Sequence, residues 1–324
     1  MKETTKIKWL YFPFQQALKK GFVAVLLCSQ VFSAAFADPT LKQSFLVGFA
    51  QDTLANDWRL AQVKALEKEF AKYPNIDFVY TDGKDRTSRQ IRDIEDLVAQ
   101  GVDVLITSPR DGLAMAPVIS RAFLSGIPVV LLTRGISGEN YTTMIGPDDS
   151  EIARQAARYI IQNLGTSGRI LMLQGLPGAS TTQLRTSAFM EAIAEYPGFD
   201  VAIKVGNYLR SDAIRVVEEV LQEGIEFDAI YAQSDSMASG ARIAMKKAGV
   251  DPRDKLIVGI DYISDARTAI LEGEQAVSFT YSTSAREAVN VVLDILAGKE
   301  VPKRVYVDSC QVDISNVKYV TPIF

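Results

Sequence analysis

The sequence of 324 residues contains no histidine. Histidine is the commonest general base in enzymes and the commonest neutral metal ligand in proteins. Its absence excludes catalytic triads of the Ser-His-Asp type and zinc sites of the usual kind. We therefore expect no metal ion, no cofactor and no histidine-dependent catalysis.

Cysteine is nearly absent as well, since the chain has only two. One of them, Cys28, lies in residues 1–37, which have the features of a cleavable export signal. These features are a lead with five lysines, the apolar run GFVAVLLCSQVFSAAFA, and the small residues Ala35 and Ala37 before Asp38. Three polar residues interrupt the run, and a retained membrane anchor needs about 20 apolar residues. We expect cleavage after Ala37 and a soluble, exported product.

Removal of residues 1–37 would take away five lysines and one glutamate. The remaining 30 basic and 38 acidic residues give a net charge of −8. An acidic chain lacks the basic face that phosphate backbones require, so we expect no nucleic-acid partner. Only Cys310 remains in the mature chain, which excludes an internal disulfide even in an oxidising compartment.

The length and composition are those of a folded protein with two domains. Hydrophobic residues make up 48% of the chain and charged residues 23%, close to the averages for globular domains. A chain of this length exceeds what a single hydrophobic core usually serves.

From Ser44 to residue 297, short aliphatic runs alternate with amphipathic helical patterns. The predicted strands are FLVGFAQ, DFVYTD, DVLITS, PVVLLTR, RILMLQG, VAIKVG, DAIYAQSD, LIVGID and AVSFTYS. Such continuous apolar runs are typical of parallel strands that are buried on both faces. The alternation predicts an α/β fold with doubly wound, Rossmann-like parallel sheets. The segment Gly135–Pro147, with a short strand over Thr142–Ile145, is the candidate crossover between domains.

Polar and aromatic residues stand where the predicted strands end, and in doubly wound sheets ligands bind beyond these carboxyl ends. Arg134 ends the run PVVLLTRG, and its guanidinium can donate to two adjacent oxygens. A mixture of hydroxyl, carboxylate, guanidinium and aromatic groups suits a sugar, whose hydroxyls donate and accept and whose C–H face packs on a ring. Each residue taken singly could instead be a helix cap or an ion-pair partner, and Asp235 is predicted to be an N-cap.

The order of these motifs resembles the sugar-binding proteins of bacterial ABC importers, in the ribose- and galactofuranose-binding branch of the type I periplasmic group. The likeness spans Phe45 to Val317 and rests on VGFAQ…NDWR, QGVDVLITSP, GIPVVLLTR, LQGLPGAST, AIYAQSDSMASGA and IVGIDY. It implies two lobes joined by a three-segment hinge, with crossings near residues 147, 281 and 308. The N-terminal lobe would comprise 38–146 and 282–308, and the C-terminal lobe 147–281 and 309–324.

The resemblance also implies which residues contact the ligand. Trp58 would stack on a sugar ring beside Arg59, and Asp261 would bind hydroxyls. The other ligand positions are Thr133, Arg134, Arg185, Tyr208, Ser234 and Tyr281. Three of the nine depart from the family pattern: Thr133 replaces an aspartate, Ser234 an asparagine and Tyr281 a glutamine. These departures favour a sugar-like ligand other than ribose, with acceptor groups near Thr133, such as a modified furanose, a sugar acid or an oxidised polyol.

We accordingly expect a monomeric periplasmic binding protein, not an enzyme, that delivers its ligand to an ABC permease. An alternative with the same site is a sensing protein that reports to a membrane sensor kinase or chemoreceptor. A sugar-responsive repressor would need an N-terminal helix-turn-helix and a basic face, and the export-like segment occupies that place. Carboxylates alone can run glycoside hydrolysis, so an enzyme is the weakest alternative.

Overall fold

The computed structural model describes residues 44–324. The expected export signal and its cleavage site lie outside these residues. Between Ser44 and Phe324, no helix is both long enough and apolar enough to cross a membrane.

The first lobe is built on a six-stranded sheet with the order β11-β5-β4-β3-β1-β2, in which every neighbouring pair is parallel. Its strands are β1 (Phe45–Gln51), β2 (Ile76–Asp82), β3 (Val104–Thr107), β4 (Val129–Leu132), β5 (Thr143–Gly146) and β11 (Arg304–Tyr306). Its helices are α1 (Asp57–Phe70), α2 (Thr87–Ala99), α3 (Ala116–Leu124) and α9 (Ala285–Leu296).

The second lobe is built on a six-stranded sheet with the order β12-β10-β9-β8-β6-β7. Its strands are β6 (Ser167–Gln174), β7 (Gly198–Val205), β8 (Ala229–Ala232), β9 (Leu256–Asp261), β10 (Val277–Thr280) and β12 (Gln311–Asp313). All pairs are parallel except β10 with β12, which is antiparallel. Its helices are α4 (Asp149–Leu164), α5 (Ser180–Ala194), α6 (Arg210–Gln222), α7 (Asp235–Lys247) and α8 (Ser264–Leu271).

Each sheet is covered by helices on both faces. In the first lobe, α1 and α9 enclose one apolar cluster, and α2 and α3 enclose another on the opposite face. In the second lobe, α4 and α5 cover one face, and α6 and α7 cover the other. The predicted fold class, two doubly wound α/β lobes, is confirmed.

All nine predicted strands are present, and so is the short strand inside Gly135–Pro147, which forms β5. The edge strands β11 and β12 were not predicted. Each has only three residues, and most of their side chains are partly or fully exposed, so neither forms the apolar run that marks a buried strand.

The chain passes between the two sheets at three places. These lie between β5 and α4, between β10 and α9, and between β11 and β12. Each passage is short, and together the three passages form the connection between the two lobes.

Candidate ligand-binding site

A cavity of about 60 Å³ lies where the carboxyl ends of both sheets face each other. That position agrees with the rule that ligands bind beyond the strand ends of doubly wound sheets. Eight of the nine predicted ligand residues line it: Trp58, Arg59, Arg134, Arg185, Tyr208, Ser234, Asp261 and Tyr281.

Several strand ends turn sharply at the cavity through left-handed backbone conformations. Asn207 and Tyr208 have φ angles of 53° and 63°, and Asp261 and Tyr262 have φ angles of 116° and 59°. Residues other than glycine rarely adopt such angles, and strained residues of this kind cluster at functional sites. The turns present Tyr208 and Asp261 to the cavity.

On the side of the first lobe, Asp52 lies between two guanidinium groups. Arg134 Nη1 donates to Asp52 Oδ2 at 2.6 Å, and Arg59 Nε lies 3.5 Å from Asp52 Oδ1. All three side chains are at least nine-tenths buried. Burial, and secondarily the charge of Arg134, lower the pKa of Arg59 to about 10, so the group stays protonated at neutral pH.

Thr133, the ninth predicted residue, does not belong to the cavity lining. Its hydroxyl donates to the backbone oxygen of Leu132 at 2.7 Å and accepts from Arg59 Nη1 at 3.2 Å. Arg59 Nη1 also donates to Ser108 Oγ at 2.8 Å. Thr133 thus positions Arg59 through a hydrogen bond and does not line the cavity itself. This differs from the direct ligand contact that was predicted for Thr133.

On the side of the second lobe, Arg185 is held by Asp149. Arg185 Nε donates to Asp149 Oδ1 at 2.8 Å, and Arg185 Nη1 donates to the backbone oxygen of Gln233 at 2.5 Å. The Tyr281 hydroxyl donates to Asp149 Oδ2 at 3.3 Å, and the Arg185 guanidinium lies 4.5 Å from the centre of the Tyr281 ring. Arg185 and Tyr281 are therefore fixed in place by one buried carboxylate.

These ion pairs remove one premise of the expectation that the ligand offers acceptor groups near Thr133, as a modified furanose, a sugar acid or an oxidised polyol would. That expectation assumed that replacing an aspartate by Thr133 leaves an excess of arginines. Instead, Arg59 and Arg134 share Asp52, and Arg185 has Asp149. Each guanidinium of the cavity already has a carboxylate within 4 Å.

Two aromatic residues each contact a residue of the opposite lobe. Trp58, on α1, donates from Nε1 to the backbone oxygen of Tyr281 at 3.1 Å, and the two rings lie 5.5 Å apart. Tyr208, after β7, lies with its ring centre 5.6 Å from the Arg134 guanidinium. The Tyr208 hydroxyl accepts from Thr182 Oγ1 at 2.8 Å. Trp58 belongs both to the cavity wall and to the apolar core of the second lobe.

The start of α7 corrects one prediction. The N-cap is Ser234, whose Oγ accepts from the backbone N–H of Met237, and not Asp235. Asp235 is fully buried and accepts from the backbone N–H of Tyr262 and from Ser278 Oγ, each at 2.6 Å. Burial raises the pKa of Asp235 to about 6. Asp235 thus supports the turn that carries Asp261.

Among residues 44–324, Asp261 is the cavity carboxylate without an ion-pair partner within 4 Å. Burial raises the pKa of Asp261 well above its usual value, and the nearby charge of Arg185 acts in the opposite direction. In either protonation state its carboxyl group can hydrogen-bond a ligand hydroxyl.

Nine further residues line the cavity, among them Asp52, Asn56 and Asn207, which were not among the nine predicted ligand residues. Each of these three follows a strand end directly or within a few residues, so the strand-end rule points to them, whereas the family resemblance did not give them as ligand contacts. Within residues 44–324, no group of three histidine, cysteine, aspartate or glutamate side chains is placed to hold a metal ion.

Two doubly wound lobes, with a small polar and aromatic cavity between their strand ends, define a type I periplasmic binding protein. Comparison with known proteins agrees, since a family model described as "Periplasmic binding protein domain" matches residues 47–300. The chain belongs to the periplasmic binding protein family.

Individual relatives narrow this to the sugar-binding group. A ribose import binding protein of Bacillus subtilis is 31% identical over 82% of this chain and 86% of its own length. A galactofuranose-binding protein of Escherichia coli is 30% identical over 77% of this chain and 81% of its own length. Among solved structures, the fructose-binding periplasmic domain of a hybrid two-component system has a TM-score of 0.80 and 30% identity, covering 85% of this chain and 92% of that one.

Proposed function

We propose that this protein captures a sugar or sugar-like ligand between its lobes in the periplasm and delivers it to an ABC importer. The observation that carries the proposal is the cavity itself, in which three buried arginines, carboxyl groups and aromatic rings from both lobes converge. Sugars require this combination of planar donors, acceptors and ring faces.

The cavity residues contribute different chemical groups to ligand recognition. Arg59, Arg134 and Arg185 donate to ligand oxygens, and Asp261 binds hydroxyl groups. Aromatic faces come from Trp58, Tyr208 and Tyr281, while Ser234 adds a hydroxyl. Thr133 acts indirectly, through its hydrogen bond with Arg59.

The lobes close on the ligand by a hinge motion. The N-terminal lobe comprises residues 38–146 and 282–308, and the C-terminal lobe comprises 147–281 and 309–324. Contacts between the lobes support a closed form: Asn56 Nδ2 donates to the backbone oxygen of Tyr208 at 2.6 Å, and Gly112 N donates to the backbone oxygen of Gly178 at 3.1 Å. A ligand that touches both lobes stabilises this form selectively. Small-angle scattering that shows no compaction on ligand binding would contradict the hinge.

We propose further that the protein is a monomer, is not an enzyme, and is released after cleavage at Ala37. Its relatives named above are binding proteins, which supports the absence of catalysis. Turnover of a bound sugar would refute that part. N-terminal sequencing of periplasmic protein tests the cleavage, and a start other than Asp38 would contradict it.

A sensing role is the second candidate, because the fructose-binding neighbour is the periplasmic domain of a two-component system. In that case a membrane sensor, and not a permease, would bind the closed form. Sugar uptake by cells that lack the gene separates the two, since loss of uptake supports import.

A thermal-shift panel tests the ligand class. Pentoses, hexoses, polyols and sugar acids are each added at high concentration, because a ligand that binds the folded state raises stability by RT ln(1 + [L]/Kd). We expect at least one sugar to raise the melting temperature, with Kd then measured by calorimetry. A protein that responds to no member of the panel would overturn the proposed function.

A further inference from the structure

Asp52 follows β1, lines the cavity and is 2% exposed. Its Oδ2 accepts from Arg134 Nη1 at 2.6 Å. Its Oδ1 has no hydrogen-bond partner within residues 44–324, although Arg59 Nε lies at ion-pair distance. Buried polar atoms are nearly always hydrogen-bonded, and one that is not needs an explanation. Because Asp52 lines the cavity, a ligand is the natural partner for this oxygen.

Arg134, the ion-pair partner of Asp52, has a hydrogen-bond donor that is unpartnered within residues 44–324. Arg134 also lines the cavity, and its Nε is a buried donor with no hydrogen-bond partner in the described chain. One ion pair therefore carries both an unpartnered acceptor and an unpartnered donor. A hydroxyl group donates and accepts at once, whereas a carboxylate only accepts. The pair Asp52 and Arg134 thus matches hydroxyl groups and would repel a carboxylate through Asp52.

The other two guanidinium groups of the cavity, those of Arg59 and Arg185, are also paired with carboxylates and so do not offer an unpaired charge to an anion. Arg59 shares Asp52, and Arg185 is bound to Asp149 at 2.8 Å. A ligand carboxylate would therefore meet three cations that are already paired, and it would lie near the negative charge of Asp52. An uncharged ligand avoids this repulsion and can still accept a hydrogen bond from the unpartnered Nε–H of Arg134.

We infer that Asp52 contacts the ligand and sets the specificity of the site, favouring uncharged polyhydroxyl ligands over their acids. The inference rests on the proposed function and goes beyond it, because it assigns the choice between neutral and acidic ligands to one residue. It also narrows the ligand types expected from Thr133, which included a sugar acid, to the uncharged ones.

The wild-type protein provides the first test. Calorimetry measures Kd for D-ribose, L-arabinose, D-galactose and D-fructose, and for the anions D-ribonate and D-galacturonate. We expect every sugar that binds to do so at least about tenfold more tightly than the anions, which corresponds to the loss of one charge-assisted hydrogen bond. An anion that binds as tightly as the best sugar would overturn the inference.

The second test uses Asp52→Asn, which keeps the shape of the side chain and removes its charge. Arg134 then has no carboxylate partner, so the affinity for the best sugar should fall and the affinity for the anions should rise. We expect the sugar-to-anion ratio of affinities to shift towards the anion by about tenfold or more. A general loss of folding would lower the affinities for the sugar and for the anion together and would not change their ratio.

Asp93→Asn is the matched control. Asp93 is also a buried aspartate that pairs with Arg89 at 2.9 Å, and its Oδ2 has no hydrogen-bond partner in the described part of the chain, but it does not line the cavity. Its substitution should leave the ratio unchanged.

The outcomes separate the two proposals. A wild-type protein that binds no compound of the panel overturns the proposed function, and this inference with it. Sugar binding with an unchanged ratio in Asp52→Asn overturns this inference alone. If Asp52→Asn does not fold, the wild-type comparison decides by itself.

Discussion

The indole Nε1 of Trp58 donates a hydrogen bond to the backbone oxygen of Tyr281 at 3.1 Å. This bond joins a helix of the first lobe to a strand end of the second, directly at the cavity. Trp58 can therefore act in two ways, as an aromatic face for the ligand and as a connection between the lobes.

Two substitutions of Trp58 separate these roles. Trp58→Phe keeps an aromatic face and loses the hydrogen bond, which is worth about 0.5 to 1.5 kcal/mol, so the affinity for the best sugar should fall by less than about tenfold. Trp58→Ala removes the ring and should reduce the affinity by more than that. Calorimetry measures both. Equal losses in the two variants would show that the hydrogen bond, and not the ring, carries the effect.

Asn56 offers a second test of the contact between the lobes. Its Oδ1 accepts from the backbone N–H of Arg59 as the N-cap of α1, and its Nδ2 donates to the backbone oxygen of Tyr208. Aspartate caps a helix as well as asparagine but cannot donate when ionised. Asn56→Asp should therefore keep the melting temperature of the ligand-free protein close to that of wild type and weaken ligand binding by about tenfold.

The control for Asn56→Asp is Asp148→Asn, which exchanges the same two residue types at the N-cap of α4. Asp148 is exposed and caps α4 alone through Glu151 N, so its substitution should leave the affinity unchanged. A similar loss of affinity in both variants would assign the effect to capping and would contradict a role in closure.

Local sequence patterns were sufficient for every strand except the edge strands β11 and β12, and for the strand-end positions of Arg134, Tyr208 and Asp261. Parallel strands buried on both faces leave continuous apolar runs, and the residue after each run is placed at the edge where ligands bind. The partners of the arginines were not predictable in this way. Asp52 follows β1 and Arg134 follows β4, and only the sheet order β4-β3-β1 brings these two strand ends close.

The same limit explains why the hydrogen-bond partners of Asp235 and Thr133 could not be predicted from the sequence. Asp235 stands among serines at a helix start, which favours a cap, but its neighbours Ser278 and Gln275 come from a distant part of the chain. Thr133 follows a strand as Arg134 does, yet its left-handed conformation, with φ of 64°, accompanies a hydroxyl bonded to Leu132 and Arg59. Side-chain direction at a strand end depends on backbone angles that the residue types did not reveal.

The buried Asp235 predicts an unusual dependence of stability on pH. Burial raises its pKa to about 6 in the folded protein, against 3.8 for the ordinary group, and the charged groups Arg242 and Asp261 act on it from neighbouring elements. Between these two values the folded state binds a proton that the unfolded state does not, so this group favours folding increasingly as the pH falls. Its burial costs free energy only when it is ionised.

Comparison with Asp235→Asn isolates this contribution. The free energy of unfolding of wild type, minus that of the variant, should rise by about 2 kcal/mol as the pH is lowered from about 7 to about 4. Urea unfolding at several pH values measures the difference. A difference that stays constant, or that falls with decreasing pH, would contradict the raised pKa of Asp235.

The pair Asp149 and Arg185 should be costly to break. Arg185 Nε and Asp149 Oδ1 are 2.8 Å apart, and both side chains are almost fully buried. Asp149→Asn leaves the Arg185 charge without a carboxylate, which in buried pairs costs about 3 to 5 kcal/mol. We expect a loss of that size in the free energy of unfolding, measured in urea. Asp149→Leu combined with Arg185→Met removes both charges and should recover most of the stability, while ligand binding is lost because Arg185 lines the cavity.

The pair Lys64 and Glu67 serves as the control for Asp149→Asn. Its atoms are also 2.8 Å apart, but the side chains are 60% and 36% exposed, and water screens such pairs. Glu67→Gln should therefore leave stability nearly unchanged. If Asp149→Asn were as mild as Glu67→Gln, burial would not be what makes the Asp149 pair strong. If the double variant kept its affinity for sugar, the assignment of Arg185 to the ligand site would be wrong.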